Sequence, residues 1–399
     1  MNKRNVAEVA SLTAALLTGV GSMAKKRFSY PSLRVPREVV LGKGSIRTCL
    51  HGLEGKKTVV LTSGSAPVVD AVSTSLLPVQ ANAVWVKKAP GEPTLQSVVE
   101  TAALIQGEYP ELTLVVGGGA VLDWGRLASA VSEGALDITG ETPFAVTHPL
   151  KTRFVLVPTT CATGAESGGV AVFARNGRKF PVVSDAFVAE RVVLDPGLIA
   201  SLPEQERDAL ICDAVSHAVE GYASIVPNRL AKEAAVTGLR LIRSGKQKAD
   251  DAGSPEEDLL MGAYYAGIAA THCSVGAAHA FAHTAARFDV PHAHGNLLAL
   301  VPITERLLQA GKIDGLWAGA GFENAGAFIG FVRGCVEAGS RPAVYGRVKR
   351  TLADKAEAEE FAEAMRSDVC MRSSPLRLNA ADIEQVLIEI SGFLGSLGG

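Results

Sequence analysis

Apolar residues occur in short, uninterrupted runs in the first half of the chain, and turns or polar stretches separate these runs. Such runs of β-branched and aliphatic residues are typical of strands in a parallel sheet, because helices cover both of its faces. Helix-like segments alternate with them, and this alternation predicts an α/β sheet. The predicted strands lie at residues 59–61, 83–86, 112–116, 154–157 and 192–194.

The pattern changes to a helical period after Pro203. Strand-like runs nearly vanish, and amphipathic segments rich in Ala, Leu and Glu dominate, which favours an all-α domain. We therefore predict an α/β domain at residues 28–200 and a helical domain at residues 201–399. The helices are predicted at residues 210–224, 229–243, 256–286, 296–310, 342–353, 356–365 and 380–393.

The first 27 residues carry a weak targeting pattern. Lys3 and Arg4 precede a mainly small and apolar run. Glu8 and several Ser, Thr and Gly residues interrupt that run, so it makes a poor signal-peptide core. We expect residues 1–27 to form a poorly ordered leader.

Composition narrows the class of protein. The chain has 399 residues, of which 47% are hydrophobic, enough for two globular domains. Lys and Arg number 39 against 41 Asp and Glu, a balance that predicts neither nucleic-acid nor membrane partners. Six scattered cysteines without a C-x-x-C pair favour a reducing cytoplasm over a disulfide framework. Small molecules are the expected partners.

Histidines cluster late in the chain. Five of the eight lie between residues 272 and 294. His279 and His283 are four residues apart in an Ala-rich segment, so they share one helix face, and Pro291 marks a break after which His292 can fold back toward them. Converging imidazoles most often hold a transition metal.

Asp213 and His217 add a second pair at helical spacing. Alone, such a pair is usually an exposed helix pair. Together with His279 and His292 it makes a four-ligand set of one carboxylate and three imidazoles. Ligands without a thiolate suit Fe²⁺, Zn²⁺ or related divalent ions, and one open coordination position would bind a substrate oxygen.

Two polar or glycine-rich turns follow predicted strands. Gly117, Gly118 and Gly119 stand between a strand and a probable helix, where backbone N–H groups can approach a phosphate. Glycine is also common in any tight turn. The second turn contains Thr159, Thr160 and Thr163, whose hydroxyls either bind a cofactor or satisfy the loop backbone.

These motifs, in this order, resemble an iron-dependent (group III) alcohol dehydrogenase of the dehydroquinate-synthase-like superfamily. The resemblance runs from about Phe28 to the end of the chain. It implies a Rossmann-like nucleotide-binding domain followed by an all-α metal-binding domain. The matching stretches are Gly42 to Ser45, Gly117 to Asp123, Pro158 to Glu166, Arg178 to Phe180 and Leu194 to Pro196.

The resemblance also implies roles for individual residues. Asp213, His217, His279 and His292 fall on the family's metal positions, and His283 falls on its histidine near the nicotinamide, so we predict His283 as the catalytic proton relay. The predicted cofactor-binding residues are Ser63, Gly117, Gly118, Gly119, Ala120, Asp123, Thr159, Thr160, Thr163 and Lys179.

The chain departs from the family pattern at several positions. Ala120 and Ala165 stand where serine is usual, and Arg126 stands where lysine is usual. Ser63 stands where an aspartate commonly excludes a 2′-phosphate, which leaves both NAD and NADP open. His294 is a rival to His292 as last ligand; the spacing of His292 to its neighbours favours His292.

The predicted function is reversible hydride transfer between a small primary alcohol and NAD or NADP, with Fe²⁺ or alternatively Zn²⁺, in a cytoplasmic homodimer. One alternative is a polyol or sugar-phosphate dehydrogenase or synthase of the same superfamily. Another is a reductase of an anionic aldehyde carrying a carboxylate, phosphate or phosphonate, to which Arg287 and His272 would bring positive charge.

Overall fold

The structure is a computed structural model that describes residues 31–48, 51–52, 55–64, 69–70, 73–74, 83–140, 144–176, 178–247 and 254–396. The predicted leader, residues 1–27, lies outside them. The chain forms two compact units. The first unit consists of the described residues within Met1–Val40, Ser45–Pro158 and Gly168–Val193. The second unit consists of the described residues within Leu41–Gly44, Thr159–Ser167 and Leu194–Gly399. The boundary near residue 200 stays a prediction.

A six-stranded sheet, in the order β1-β8-β5-β4-β2-β3, organises the first unit. The pairings of β2 with β3 and β4, and of β5 with β4 and β8, are parallel. Each of the five predicted strands is present, and the predicted fold class is confirmed. The strands are β1 (Glu38–Leu41), β2 (Thr58–Thr62), β3 (Ala83–Lys87), β4 (Leu112–Gly117), β5 (Arg153–Pro158) and β8 (Arg191–Leu194).

Two helices of the first unit are α1 (Leu95–Gln106) and α2 (Gly119–Ser132). Strands β2 and β4 are buried along their whole length, as their continuous apolar runs predict. An antiparallel hairpin of β6 (Val170–Arg175) and β7 (Arg178–Val183) was not predicted. Its sequence signal is the Asn176-Gly177 dipeptide, since Asn176 adopts a positive φ of 53°.

The described part of the second unit is helical. The predicted long helix at 256–286 is divided, because Ser274 has a φ of 66° and ends the first half. The helices are α3 (Pro196–Ile199), α4 (Glu204–Ala223), α5 (Arg229–Gln247), α6 (Pro255–Cys273), α7 (Ala277–Ala285), α8 (His292–Gln309), α9 (Asp314–Gly319), α10 (Ala325–Gly339), α11 (Gly346–Ala353), α12 (Lys355–Arg366) and α13 (Ala380–Ser396). Across the described residues, no helix has the length and apolar character to span a bilayer.

Candidate metal centre and nucleotide-binding turn

Three helices of the second unit present the four predicted ligands. Asp213 and His217 lie one turn apart on α4 and are buried, with 1% and 7% exposure. His279 lies on α7, which begins only after the break at Ser274. His292 is the first residue of α8, directly after Pro291, as the helix-breaking proline predicted.

The donor atoms of these side chains converge. His279 Nε2 is 2.9 Å from His217 Nε2 and 3.8 Å from Asp213 Oδ1. His292 Nε2 is 3.9 Å from the same Asp213 oxygen. Nitrogen and oxygen ligands of one tetrahedral ion stand about 3.3 Å apart, given metal–ligand bonds of about 2 Å. The donor atoms of Asp213, His217 and His279 all lie within 4.8 Å of one another, a spacing that suits one divalent ion, and His292 approaches this group through Asp213.

Glu220 was not predicted, although it lies on the same face of α4 as His217. Its Oε2 accepts a 2.7 Å hydrogen bond from His279 Nδ1 and a 2.9 Å bond from the Gly276 amide, and its Oε1 accepts one from the Ala278 amide. Burial raises the pKa of the Glu220 carboxyl to about 7, although those backbone donors lower it. A carboxylate at His279 Nδ1 leaves the Nε2 lone pair for a metal.

Asn296, one turn after His292 on α8, is a second residue that was not predicted. Its Nδ2 lies 2.5 Å from Asp213 Oδ1 and 3.3 Å from His279 Nε2. It is fully buried, and among the described residues its Oδ1 has no hydrogen-bond partner. The Asn296 amide therefore faces the converging donors and fixes the orientation of Asp213.

The rival histidine, His294, faces elsewhere. Its Nδ1 lies 2.9 Å from the Tyr345 hydroxyl, and the ring is 2% exposed. Burial lowers the pKa of His294. The structure thus brings His292, and not His294, to the converging donors.

The residues fit a divalent cation by their chemistry. The ring atom His217 Nδ1 is buried without a hydrogen-bond partner among the described residues. The opposite nitrogen, Nε2, faces a second imidazole whose own Nδ1 is engaged by Glu220. Lone pairs of two imidazoles and a carboxylate that face one another in a buried space need a cation or a proton between them.

His283 lies one turn after His279 on α7, with its ring stacked 5.5 Å from the His292 ring. Its Nδ1 is 3.1 Å from Asp368 Oδ2 and 3.8 Å from Cys370 Sγ. Burial raises the pKa of the Asp368 carboxyl, but bonds from His283 and Cys370 outweigh burial, so the pKa lies below its ordinary value. Sequence reasoning did not identify Asp368 or Cys370.

The glycine-rich turn joins β4 to α2 in the first unit. Gly117 ends β4, and a Cβ there would lie 2.6 Å from the Val121 Cβ, so only glycine fits. Gly118 is the N-cap residue without a side-chain cap, and Gly119 and Ala120 open the helix. The first N–H groups of α2 therefore lack side-chain acceptors and suit an anion.

Asp123 has both carboxylate oxygens engaged within the first unit. Its Oδ1 accepts a 2.7 Å bond from Arg126, whose side chain is fully buried, and its Oδ2 accepts a 3.0 Å bond from the Val172 amide. Burial raises the pKa of Asp123 to about 6, against the lowering effect of Arg126. These contacts connect α2 to the β6–β7 hairpin.

The other predicted cofactor-binding residues have different surroundings. Thr159, Thr160 and Thr163 belong to the second unit, where Thr163 Oγ1 accepts a bond from the Ala165 amide. Gly164 has a φ of 55° and packs directly against the Gly267 backbone. In the first unit, Lys179 forms a 2.8 Å ion pair with Glu92 on a neighbouring loop.

Ser63 directly follows β2, beside a pocket of about 410 Å³. Thr62, Gly64, Asp70, Trp85 and Lys87 line the pocket. Since β2 pairs with β4 in parallel, this pocket and Gly117 both lie at the carboxyl ends of these strands.

The two residues considered for an anionic substrate lie on different helices. His272, near the end of α6, has its Nδ1 2.9 Å from the Ile268 carbonyl oxygen. Arg287 is exposed and lines a cleft of about 640 Å³ together with Arg347, Arg350, Asp354 and Glu357. Because acids and arginines both line this cleft, its charge is mixed.

Two family models match the chain in succession. The model of iron-containing alcohol dehydrogenase matches residues 36–196, and that of the Fe-containing alcohol dehydrogenase family, C-terminal, matches residues 210–328. Together they cover most of the chain, with the second model on the helices that carry the converging donors.

Individual proteins agree with the family models. Long-chain-alcohol dehydrogenase 1 of Geobacillus thermodenitrificans is 32% identical over 222 residues, which are 52% of this chain and 55% of that enzyme. The 4-hydroxybutyrate dehydrogenase of Clostridium kluyveri is 31% identical over 223 residues, 53% of this chain and 59% of that enzyme. The chain thus spans little more than half the length of these relatives.

Among solved structures, sulfoacetaldehyde reductase from Bifidobacterium kashiwanohense in complex with NAD⁺ has the same fold. Its TM-score is 0.77 at 18% identity, and the match covers 91% of this chain and 99% of that one. As its motifs predicted, the chain belongs to the iron-containing alcohol dehydrogenase family.

Proposed function

We propose that the chain is a metal-dependent, NAD(P)-linked alcohol dehydrogenase and aldehyde reductase that transfers a hydride reversibly between a small primary alcohol and nicotinamide. The observation that carries the proposal is the convergence of donors from Asp213, His217 and His279, with His292 Nε2 3.9 Å from the Asp213 oxygen. Such a carboxylate and imidazole set matches Fe²⁺, with Zn²⁺ as the alternative.

A divalent ion held there supplies Lewis-acid chemistry that lowers the pKa of an alcohol or polarises an aldehyde. Asp213 and the three histidines would hold it. Glu220 orients the His279 ring through Nδ1, and Asn296 orients Asp213. Gly118, Gly119 and Ala120 bind the pyrophosphate of the nucleotide through the N-terminus of α2. The protein thus supplies positioning and electrostatics for chemistry that belongs to its cofactors.

His283 is proposed as the group that relays the hydroxyl proton toward solvent. It is partly exposed, at 21% of its side chain, whereas the neighbouring His279 is 3% exposed. Replacing His283 with alanine should slow turnover by about 100-fold, the ordinary contribution of a positioned acid or base. After the metal is stripped and one Fe²⁺ per chain is returned, the iron content of the variant, measured by elemental analysis, should equal that of the wild type. A variant that lost its metal would rule out a relay role.

The pocket beside Ser63 is proposed to hold the adenosine ribose and to accept both NAD and NADP, because Ser63 carries no charge and the opposite charges of Lys87 and Asp70 both line the pocket. Replacing Ser63 with aspartate should lower kcat/KM for NADPH relative to NADH by about tenfold, since the new carboxylate repels a 2′-phosphate. The Ser63→Asn variant has nearly the same shape without the charge. An equal change of the NADPH to NADH ratio in both variants would contradict the charge argument.

The function is tested by a screen of metal-replete protein with NADH and NADPH. Net oxidation of either nucleotide with propanal supports the proposed reduction. A polyol or sugar-phosphate synthase would return the hydride to its substrate and consume no nucleotide. Faster reduction of anionic aldehydes would favour the alternative suggested by the 4-hydroxybutyrate dehydrogenase relative. The homodimeric state and the cytoplasmic location stay predictions.

A further inference from the structure

A second cluster of metal-ligating side chains lies beside the four donors. His283 stands on α7, and Asp368 and Cys370 belong to the short turn after α12. The imidazole, carboxylate and thiol donor atoms all lie within 4.8 Å of one another. None of the three belongs to the proposed Asp213 and histidine ligand set.

The measured spacings match those of zinc ligands. His283 Nδ1 is 3.1 Å from Asp368 Oδ2 and 3.8 Å from Cys370 Sγ. In a tetrahedral zinc site, bonds of about 2.0 Å to oxygen or nitrogen and about 2.3 Å to sulfur place nitrogen about 3.3 Å from oxygen and about 3.6 Å from sulfur. The two distances from His283 Nδ1 therefore differ from those of a zinc site by only a few tenths of an ångström.

The turn that carries Asp368 and Cys370 fixes their side chains in advance. Asp368 Oδ1 accepts a 2.8 Å bond from the Cys370 amide, which leaves Oδ2 directed at His283. Cys370 is 5% exposed, while the side chains of His283 and Asp368 are 21% and 17% exposed. The thiol is thus sheltered, and solvent can supply a fourth ligand.

We infer that His283, Asp368 and Cys370 form a second site for a thiophilic divalent ion such as Zn²⁺, separate from the proposed catalytic centre. Binding releases the proton of the Cys370 thiol and needs the neutral His283 ring with its proton on Nε2, so that Nδ1 is free to bind; the thiolate and carboxylate then balance the charge of the ion. Since the ion occupies the proposed relay His283, excess zinc inhibits turnover. This consequence rests on the proposed function, but the site itself does not.

Cobalt separates the two sites, because only the second contains a thiolate. Metal-free full-length protein is titrated with Co²⁺ while near-ultraviolet absorption is recorded, where thiolate-to-cobalt charge transfer appears. Wild type should develop the band and bind one ion more than Cys370→Ser, which should lack the band. Asp368→Asn should bind the band-forming ion at least tenfold more weakly. The Cys273→Ser variant, which alters another buried cysteine, should keep the band.

The Asp213→Asn variant distinguishes failure of the site from failure of the proposed function. It should lose the ion that gives no thiolate band and keep the ion that does. A wild type without the band, or a band that persists in Cys370→Ser, would overturn the second site. If metal-replete wild-type protein does not reduce aldehydes, that result would count against the proposed function and not against the second site.

Discussion

Replacing Asp213 with asparagine should remove the bound metal and lower the rate of aldehyde reduction by at least about 1000-fold, the loss of some 4 kcal/mol of Lewis-acid stabilisation. Asp213 is the only carboxylate among the four proposed ligands, and its Oδ1 lies 3.8 Å from His279 Nε2 and 3.9 Å from His292 Nε2. Its replacement by a neutral amide of the same shape removes the negative charge that a divalent ion needs and preserves the packing of α4. Elemental analysis of the purified variant and an NAD(P)H-linked aldehyde assay measure the two effects.

Asp208 provides the matched control. It is a buried carboxylate on the same helix, but it pairs with Lys246 at 2.6 Å and lies outside the donor cluster. Asp208→Asn should therefore retain the metal content and most of the turnover of the wild type. If both variants lost metal and activity to a similar extent, any change of a buried charge in α4 would be enough to disturb the enzyme. That result would contradict the proposed role of Asp213 as a metal ligand.

Replacing Glu220 with alanine should weaken metal binding by about 10–100-fold, as removal of carboxylates hydrogen-bonded to metal ligands generally does. The loss leaves His279 Nδ1 and the amides of Gly276 and Ala278 without their acceptor. Because these donors are buried and would lack a partner, the substitution should also lower the free energy of unfolding by about 3 kcal/mol or more. Metal affinity is measured by competition with a chromophoric chelator, and stability by urea denaturation of the metal-free protein.

The Glu204→Ala variant is the control for this prediction, since Glu204 is an exposed carboxylate in the first turn of the same helix. It should leave both quantities unchanged. Metal affinity that stays at the wild-type value in Glu220→Ala would show that the Glu220 bond does not orient His279 for binding.

The sheet could be predicted because a buried parallel strand has a continuous apolar run in its sequence, as at residues 112–116. The β6–β7 hairpin was missed because β7 begins with the charged residues Arg178 and Lys179 and contains Pro181, which disfavours a strand. The break at Ser274 was missed because the alanine-rich segments on both sides were interpreted as one helix, although Ser274, Val275 and Gly276 are poor helix formers. The structure places Ser274, a non-glycine residue, in the left-handed region. Such a conformation is decided by tertiary contacts.

In the candidate site, too, contacts within one helix could be predicted from the sequence, whereas contacts between distant parts of the chain could not. Histidine spacing within one helix is local information, so the shared face of His279 and His283 could be predicted. The bonds from His279 to Glu220 and from His283 to Asp368 join residues 59 and 85 positions apart, and local pattern does not encode them. Glu220 had a weak signal in its helical spacing to His217, while Asp368 and Cys370 had none.

Removal and return of the metal is the most direct test of the proposed chemistry. Protein purified without chelator is assayed for aldehyde reduction, stripped of metal, assayed again, and then supplied with Fe²⁺ or Zn²⁺ at one ion per chain. The donor geometry predicts that activity disappears on stripping and returns with the ion, and that Asp213→Asn does not recover. Metal-free protein that reduces aldehydes at the undiminished rate would contradict the account.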